Sequence, residues 1–254
     1  MIINILVFLL SIVPTVLIFL WLRKRKKDSE NYIKATNSAF LRGFIGVLPI
    51  IGVSAVIWIV LTITGTLTGI KQNIPLLYQA FYTFFVLAFA EELVKFLAFR
   101  GLIKKKFYSY SWADIVAFMT IIGLAFGLIE DIPYAIGASP MVMIVRGVTM
   151  GHVGYGFIMG WFYGKSLYTG KKLYAVIAFA LPWLMHGIYD FSLSEQLMKI
   201  NDNFAFIGVS MALLDLVALV LMFRFFIKAR KKEKYNQPLV LAEEGAGVEV
   251  TENK

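Results

Sequence analysis

Residues 113–132 read ADIVAFMTIIGLAFGLIEDI, and the only ionisable side chains in this run, Asp114, Glu130 and Asp131, lie at its two ends. A helix rises about 1.5 Å per residue and the hydrocarbon core of a bilayer is about 30 Å thick, so a run of this length is one crossing. Six further stretches of similar length and character flank it, at 2–22, 43–68, 76–99, 142–163, 173–192 and 204–227. In lipid each segment must satisfy its own backbone hydrogen bonds. Successive runs of this kind therefore predict an all-α, polytopic helical bundle of about seven transmembrane helices. Composition agrees: 59% of the 254 residues are hydrophobic and 16% are charged, against roughly 25% charged in a soluble domain. A soluble enzyme and a nucleic-acid-binding domain are excluded. The absence of cysteine removes disulfides, thiolate catalysis and cysteine metal sites. The first run lacks a basic leader and is long for the apolar part of a signal peptide, so it is read as a retained span.

The net charge of +9 is a topology signal once it is read by position. Nineteen basic residues fall on one set of connections: Arg23 to Lys27, Lys34 and Arg42, then Arg100 and Lys104 to Lys106, then Lys165, Lys171 and Lys172, then Lys228 to Lys234. The opposite loops hold Lys71 and Lys199. Positive residues mark the cytoplasmic side, which predicts the N-terminus outside and the C-terminus inside. From Tyr235 to Lys254 the chain turns acidic and carries Pro238, Gly245 and Gly247. This predicts a disordered cytoplasmic tail after an integral membrane unit of residues 1–234.

Ionisable groups inside spans are expensive and mark function by default. Four clusters stand out: Glu91-Glu92-Leu93-Val94-Lys95, Glu130-Asp131, His152, and His186-Gly187-Ile188-Tyr189-Asp190. The two histidines are the only ones in the chain. Counting from the nearest cytoplasmic anchor, Glu92 lies about 18 Å deep, His152 about 20 Å, His186 about 21 Å and Glu130 about 24 Å. Four residues on four helices thus reach one level, which predicts a shared buried site. Lys95 can meet Glu91 at i,i+4 and Glu92 at i,i+3. For Lys95 alone an ion pair that lets it enter the bilayer is the preferred reading. One lysine cannot neutralise two glutamates, and a carboxylate left without a cation is suited to acid–base work. Asp190, four residues after His186, can orient its imidazole.

Other polar residues receive plainer readings. Asp131 and Arg146 form an interfacial pair or snorkel outward, Asp114 sits at the interface, and Asp215 has no assigned role. Gly156, Gly160 and Gly164 follow His152 at four-residue spacing and, with Gly123 and Gly127, allow close helix approach. Trp21, Trp58, Trp112, Trp161 and Trp183 are read mostly as interfacial anchors. Phe84, Phe85 and Phe89 are apolar filling.

Glu91-Glu92-x-x-Lys95, Phe126-x-x-x-Glu130 followed by Tyr134, His152 with its trailing glycines, and His186-x-x-x-Asp190 resemble, in order and spacing, the four motifs of the PrsW-type glutamic intramembrane proteases. These are distant relatives of the CAAX-prenyl-protease and bacteriocin-processing membrane proteins. The resemblance covers residues 76–192, taken as the catalytic core. It implies hydrolysis of a peptide bond in a membrane-anchored protein, with first-site cleavage of an anti-sigma factor in envelope-stress signalling as the associated role. The CAAX proteases carry a histidine where this chain has Glu130.

Amide hydrolysis requires an activated water, a stabilised oxyanion and a proton for the leaving amine. In a metal-free version Glu91 or Glu92 is the general base, assisted by His152, and His186 oriented by Asp190 stabilises the oxyanion. In a zinc version His152, His186 and one glutamate, for which Glu130 is the candidate, ligate the ion, and a second glutamate is the base. No HExxH motif is present, and the version without a cofactor is preferred. The candidate site residues are therefore Glu91, Glu92, Glu130, His152 and His186, supported by Lys95 and Asp190. A proton- or ion-coupled transporter is the main rival reading. The paired halves and broken helices that such proteins often show are not visible in the sequence. A CAAX- or bacteriocin-type processing role and a non-catalytic scaffold complete the alternatives.

Overall fold

The computed structural model describes residues 2–104, 109–137, 139–232 and 235–237; the expected tail beyond 237 lies outside the described residues. Among these the chain is helical, without strands. Helix α1 (Ile2–Arg23) leads through a short 3-10 turn to α2 (Glu30–Leu67). The second helix begins well before the apolar run expected at 43–68. Ser29 caps it by accepting from the Tyr32 amide, and the buried Tyr32 hydroxyl donates to the Leu22 carbonyl at 2.8 Å. Local capping and tertiary burial thus extend a helix that hydropathy alone starts later.

A single-turn α3 (Ile70–Asn73) precedes α4 (Pro75–Phe81), a π-helical stretch at Tyr82–Ala88, and α5 (Phe89–Ile103). Then come α6 (Trp112–Gly137), α7 (Pro140–Thr149), α8 (Gly151–Thr169), α9 (Lys172–Ser192), the short α10 (Glu195–Met198) and α11 (Ala205–Ala229). Six helical runs among the described residues are long and apolar enough to cross a bilayer: Ile5–Lys26, Glu30–Leu67, Trp112–Gly137, Pro140–Thr169, Lys172–Ser192 and Asp202–Ala229. The seventh expected span, 76–99, is not among them. It is helical from Pro75 to Ile103 but divided by the π stretch, and it carries Glu91, Glu92 and Lys95 in its second half.

Helix α6 is the axis of the bundle, and every residue from Trp112 to Phe126 is buried. Close approach to α8 depends on glycine. A Cβ on Gly156 would stand 2.6 Å from the Met119 carbonyl oxygen, and one on Gly160 would stand 2.9 Å from the Val116 Cα. The packing stripe expected from the four-residue spacing is therefore realised against α6. On the outside, Leu10, Leu48, Val56 and Leu213 are more than half exposed. An apolar outer belt of this kind belongs in lipid, so the protein is a multi-pass membrane protein. At the end of the bundle near the start of α6, Asp114 is buried and clamped by Arg25 and Lys26. Tyr235, where the disordered tail is expected to begin, is itself buried and packs against Trp112 and Phe225.

Candidate active site

Four helices, α5, α6, α8 and α9, deliver the expected side chains to one place. The π stretch before α5 widens the turn and is fixed from outside, where Trp183 Nε1 donates to the Phe84 carbonyl at 2.6 Å. Gly187 makes room for the same residue, since a Cβ there would meet the Phe84 ring at 2.5 Å. Such π insertions recur at functional sites. Here the stretch leads directly into Glu91, Glu92 and Lys95. Between α7 and α8, Met150 takes a left-handed conformation, φ 47° and ψ 48°, unusual for a residue with a side chain. It ends α7 and restarts the helix at Gly151, so His152 occupies the first turn of α8. Asp215 of α11 lies against that turn, and a Cβ on Gly151 would be 2.9 Å from its Oδ2.

Lys95 and Glu92 are completely buried and 2.6 Å apart. The lysine ammonium also donates to His152 Nδ1 at 2.8 Å and sits 4.4 Å from the centre of the Phe126 ring. An ammonium has only hydrogens to offer, so Nδ1 accepts and Nε2 carries the imidazole proton. That proton points to Glu130, the short-range partner of Nε2. Arg146 then spans Glu130 at 3.0 Å and Asp131 at 2.7 Å, and lies 3.9 Å from the Tyr134 ring centre. On the other side, His186 Nδ1 is 2.9 Å from Glu92 Oε1, and its Nε2 is 3.2 Å from Asp190 and 3.9 Å from Glu91 Oε2. The two imidazoles meet edge to face with centres 5.1 Å apart. Glu91 Oε2 and Glu92 Oε2 are buried with no hydrogen-bond partner.

All five candidate residues, with Lys95 and Asp190, thus form one connected network. One atom each of Glu91, His152 and His186 lie within 4.8 Å of one another, the spacing at which three side chains can share a metal ion. The carboxylate that joins the imidazoles there is Glu91, whereas Glu130 is engaged by Arg146 and His152. Lys95 does more than neutralise a glutamate, because it holds one face of His152. Arg146 and Asp131 pair as expected, but they line a cavity of about 50 Å³ shared with His152, His186 and Asp215, large enough for ordered water. Sequence reasoning missed Tyr155, whose ring stacks on His186 at 5.3 Å and whose hydroxyl donates to Asp215 at 3.4 Å. Its signal was its position three residues after His152, on the same helical face.

This is a lipid-shielded acid–imidazole centre of a polytopic membrane protein. The chain belongs to the family described as PrsW family intramembrane metalloprotease, whose family model matches residues 32–227. It is similar to proteins named Protease PrsW. The one from Oceanobacillus iheyensis is 34% identical over 114 residues, 43% of this chain and 53% of that protein. The one from Clostridioides difficile is 25% identical over 197 residues, 73% of this chain and 78% of that protein. The one from Bacillus subtilis is 27% identical over 119 residues, 45% of this chain and 55% of that protein. In the first of these the match spans about half the relative's length. No solved structure matches the chain.

Proposed function

We propose that this chain is an intramembrane endopeptidase that hydrolyses a peptide bond of a membrane-anchored protein. The observation that carries the reading is the meeting of Glu91, His152 and His186 at ligand spacing inside a lipid-facing bundle. Two imidazoles and a carboxylate are a known ligand set of open catalytic zinc sites. A divalent cation fits here because it would satisfy Glu91 Oε2, buried and otherwise without a partner. His152 would exchange one of its present contacts for the ion. When bound, the ion supplies Lewis acidity to water and carbonyl.

The chain's own residues supply the rest. Glu92 accepts the His186 Nδ1 proton and fixes the ring so that Nε2 faces Glu91, the orienting role that partners of metal-binding histidines commonly play. Lys95 pairs with Glu92 at 2.6 Å and so holds the carboxylate that orients His186. With Glu91 used as a ligand and Glu92 completely buried against Lys95, Glu130, although paired with Arg146, is the candidate glutamate assigned to take a proton from water and return it to the leaving amine. Its side chain is 17% exposed, against 0% for Glu92. A second reading keeps the metal-free route with Glu91 as base. It is favoured by one fact, that both nitrogens of His152 are already engaged by Lys95 and Glu130.

In this reading residues 1–234 form the protease unit, with its N-terminus outside and C-terminus in the cytoplasm as the basic residues dictate. An anti-sigma factor is the substrate class that the motif resemblance supports. Metal analysis of the purified full chain separates the two routes. The zinc reading expects about one ion per chain, lost in Glu91→Gln, and cleavage abolished by chelation and restored by zinc. A metal-free preparation with full cleavage would refute it and leave the glutamic route.

A further inference from the structure

On the outer face of the bundle, where the middle of α8 and the C-terminal part of α11 lie side by side, the helices leave a groove of about 700 Å³. Phe157 and Trp161 of α8 and Leu221 and Phe225 of α11 wall it with apolar and aromatic surface. Arg224, Lys228 and Lys231 line the same groove. Arg224 and Lys228, at i and i+4, share one face of α11, and Lys231 follows in the turn just beyond its last residue, Ala229. All three are exposed, and among the described residues none is paired with a carboxylate. The carboxylate buried at this end of the bundle, Asp114, is already held by Arg25 and Lys26.

An apolar trench ending in a group of unmatched cations fits an amphiphile whose head is an anion and whose body is hydrocarbon. At the cytoplasmic face of a membrane, basic pockets between transmembrane helices bind anionic lipid head groups. We propose that this groove holds an anionic phospholipid, with an acyl chain along the aromatic wall and the phosphate on Arg224, Lys228 and Lys231. The two walls belong to the helices that carry His152, in the first turn of α8, and Asp215, midway along α11. A lipid wedged between them therefore braces the packing on which the cluster rests. The inference does not depend on the reaction proposed above.

The test is thermal unfolding of the delipidated full chain in detergent, titrated with phosphatidylglycerol or with phosphatidylcholine of the same acyl chains. Phosphatidylglycerol should raise the midpoint by several degrees at concentrations where phosphatidylcholine does not. The variant R224Q/K228Q/K231Q should bind it about ten-fold more weakly or worse, in low salt. In case that variant folds poorly, brominated phosphatidylglycerol gives a second readout on the unaltered chain. It should quench tryptophan fluorescence more strongly than brominated phosphatidylcholine does, and W161F should remove the difference. Equal responses to the two lipids, or a phosphatidylglycerol effect unchanged in the triple variant, would overturn the proposal. So would a lipid preference that emerges only when the chain is cut after Gln237, since the acidic tail would then be the groove's occupant.

Discussion

Replacing Gly156 by alanine tests whether the α6–α8 approach holds the site together. The added Cβ would stand 2.6 Å from the Met119 carbonyl oxygen and 3.2 Å from the Thr120 Cα. A carbon and a carbonyl oxygen settle at about 3.3 Å or more, so α8 must retreat from α6 by about 0.7 Å, and neither neighbour is a flexible side-chain end. Overpacking of this kind costs about 1–3 kcal/mol. The same retreat draws His152, one helical turn away, from Glu130 on α6. A misplacement near 1 Å can lower a rate about 100-fold, so Gly156→Ala should cleave a co-expressed single-span substrate about 10- to 100-fold more slowly. Its thermal midpoint in detergent should fall, while the protein still accumulates in the membrane. Gly52→Ala is the control, because a Cβ there meets nothing within 4 Å; it should leave cleavage unchanged and stability equal or slightly higher. Full cleavage by Gly156→Ala would show that the contact does not position the site.

Lys95→Met should destabilise the protein by about 3–5 kcal/mol, because it strands the buried Glu92 charge. Adding Glu92→Gln should recover part of that loss in the same unfolding assay, and a loss that simply adds would refute the coupling. The natural absence of cysteine makes orientation measurable with single introduced thiols. Asn201→Cys should react with an impermeant reagent in intact cells and Lys172→Cys only after the membrane is opened; the reverse pattern would invert the topology. Asp114→Asn should lower the thermal midpoint, since it leaves Arg25, whose side chain is 7% exposed, without its carboxylate.

Much of the site was legible because helix geometry is rigid. The depth of Glu92, Glu130, His152 and His186 follows from rise per residue, and the pairings of Lys95 with Glu92 and of His186 with Asp190 follow from turn spacing. The stripe Gly156, Gly160, Gly164 announced a close neighbour. Illegible were the features set by contacts between helices. Neither the π stretch at Tyr82–Ala88 nor the left-handed Met150 has a local signature, as each depends on what packs beside it. For the same reason Asp215 had no role until α11 was seen against the first turn of α8. The choice between Glu91 and Glu130 as the carboxylate joining two imidazoles turns on a few ångströms between α5, α6 and α9, which spacing along one helix cannot supply. The early start of α2 escaped hydropathy because its first turns carry Glu30, Asn31 and Lys34, polar outside but anchored through Tyr32.

The central claim is that Glu91, His152 and His186 act together on a peptide bond within the membrane. Its most direct test is cleavage of a purified single-span substrate in proteoliposomes by the unaltered chain and by Glu91→Gln, His152→Gln and His186→Gln. Each variant should lose about 100- to 10,000-fold in rate while keeping its helical content. Cleavage at the unaltered rate by any one of the three would contradict the account.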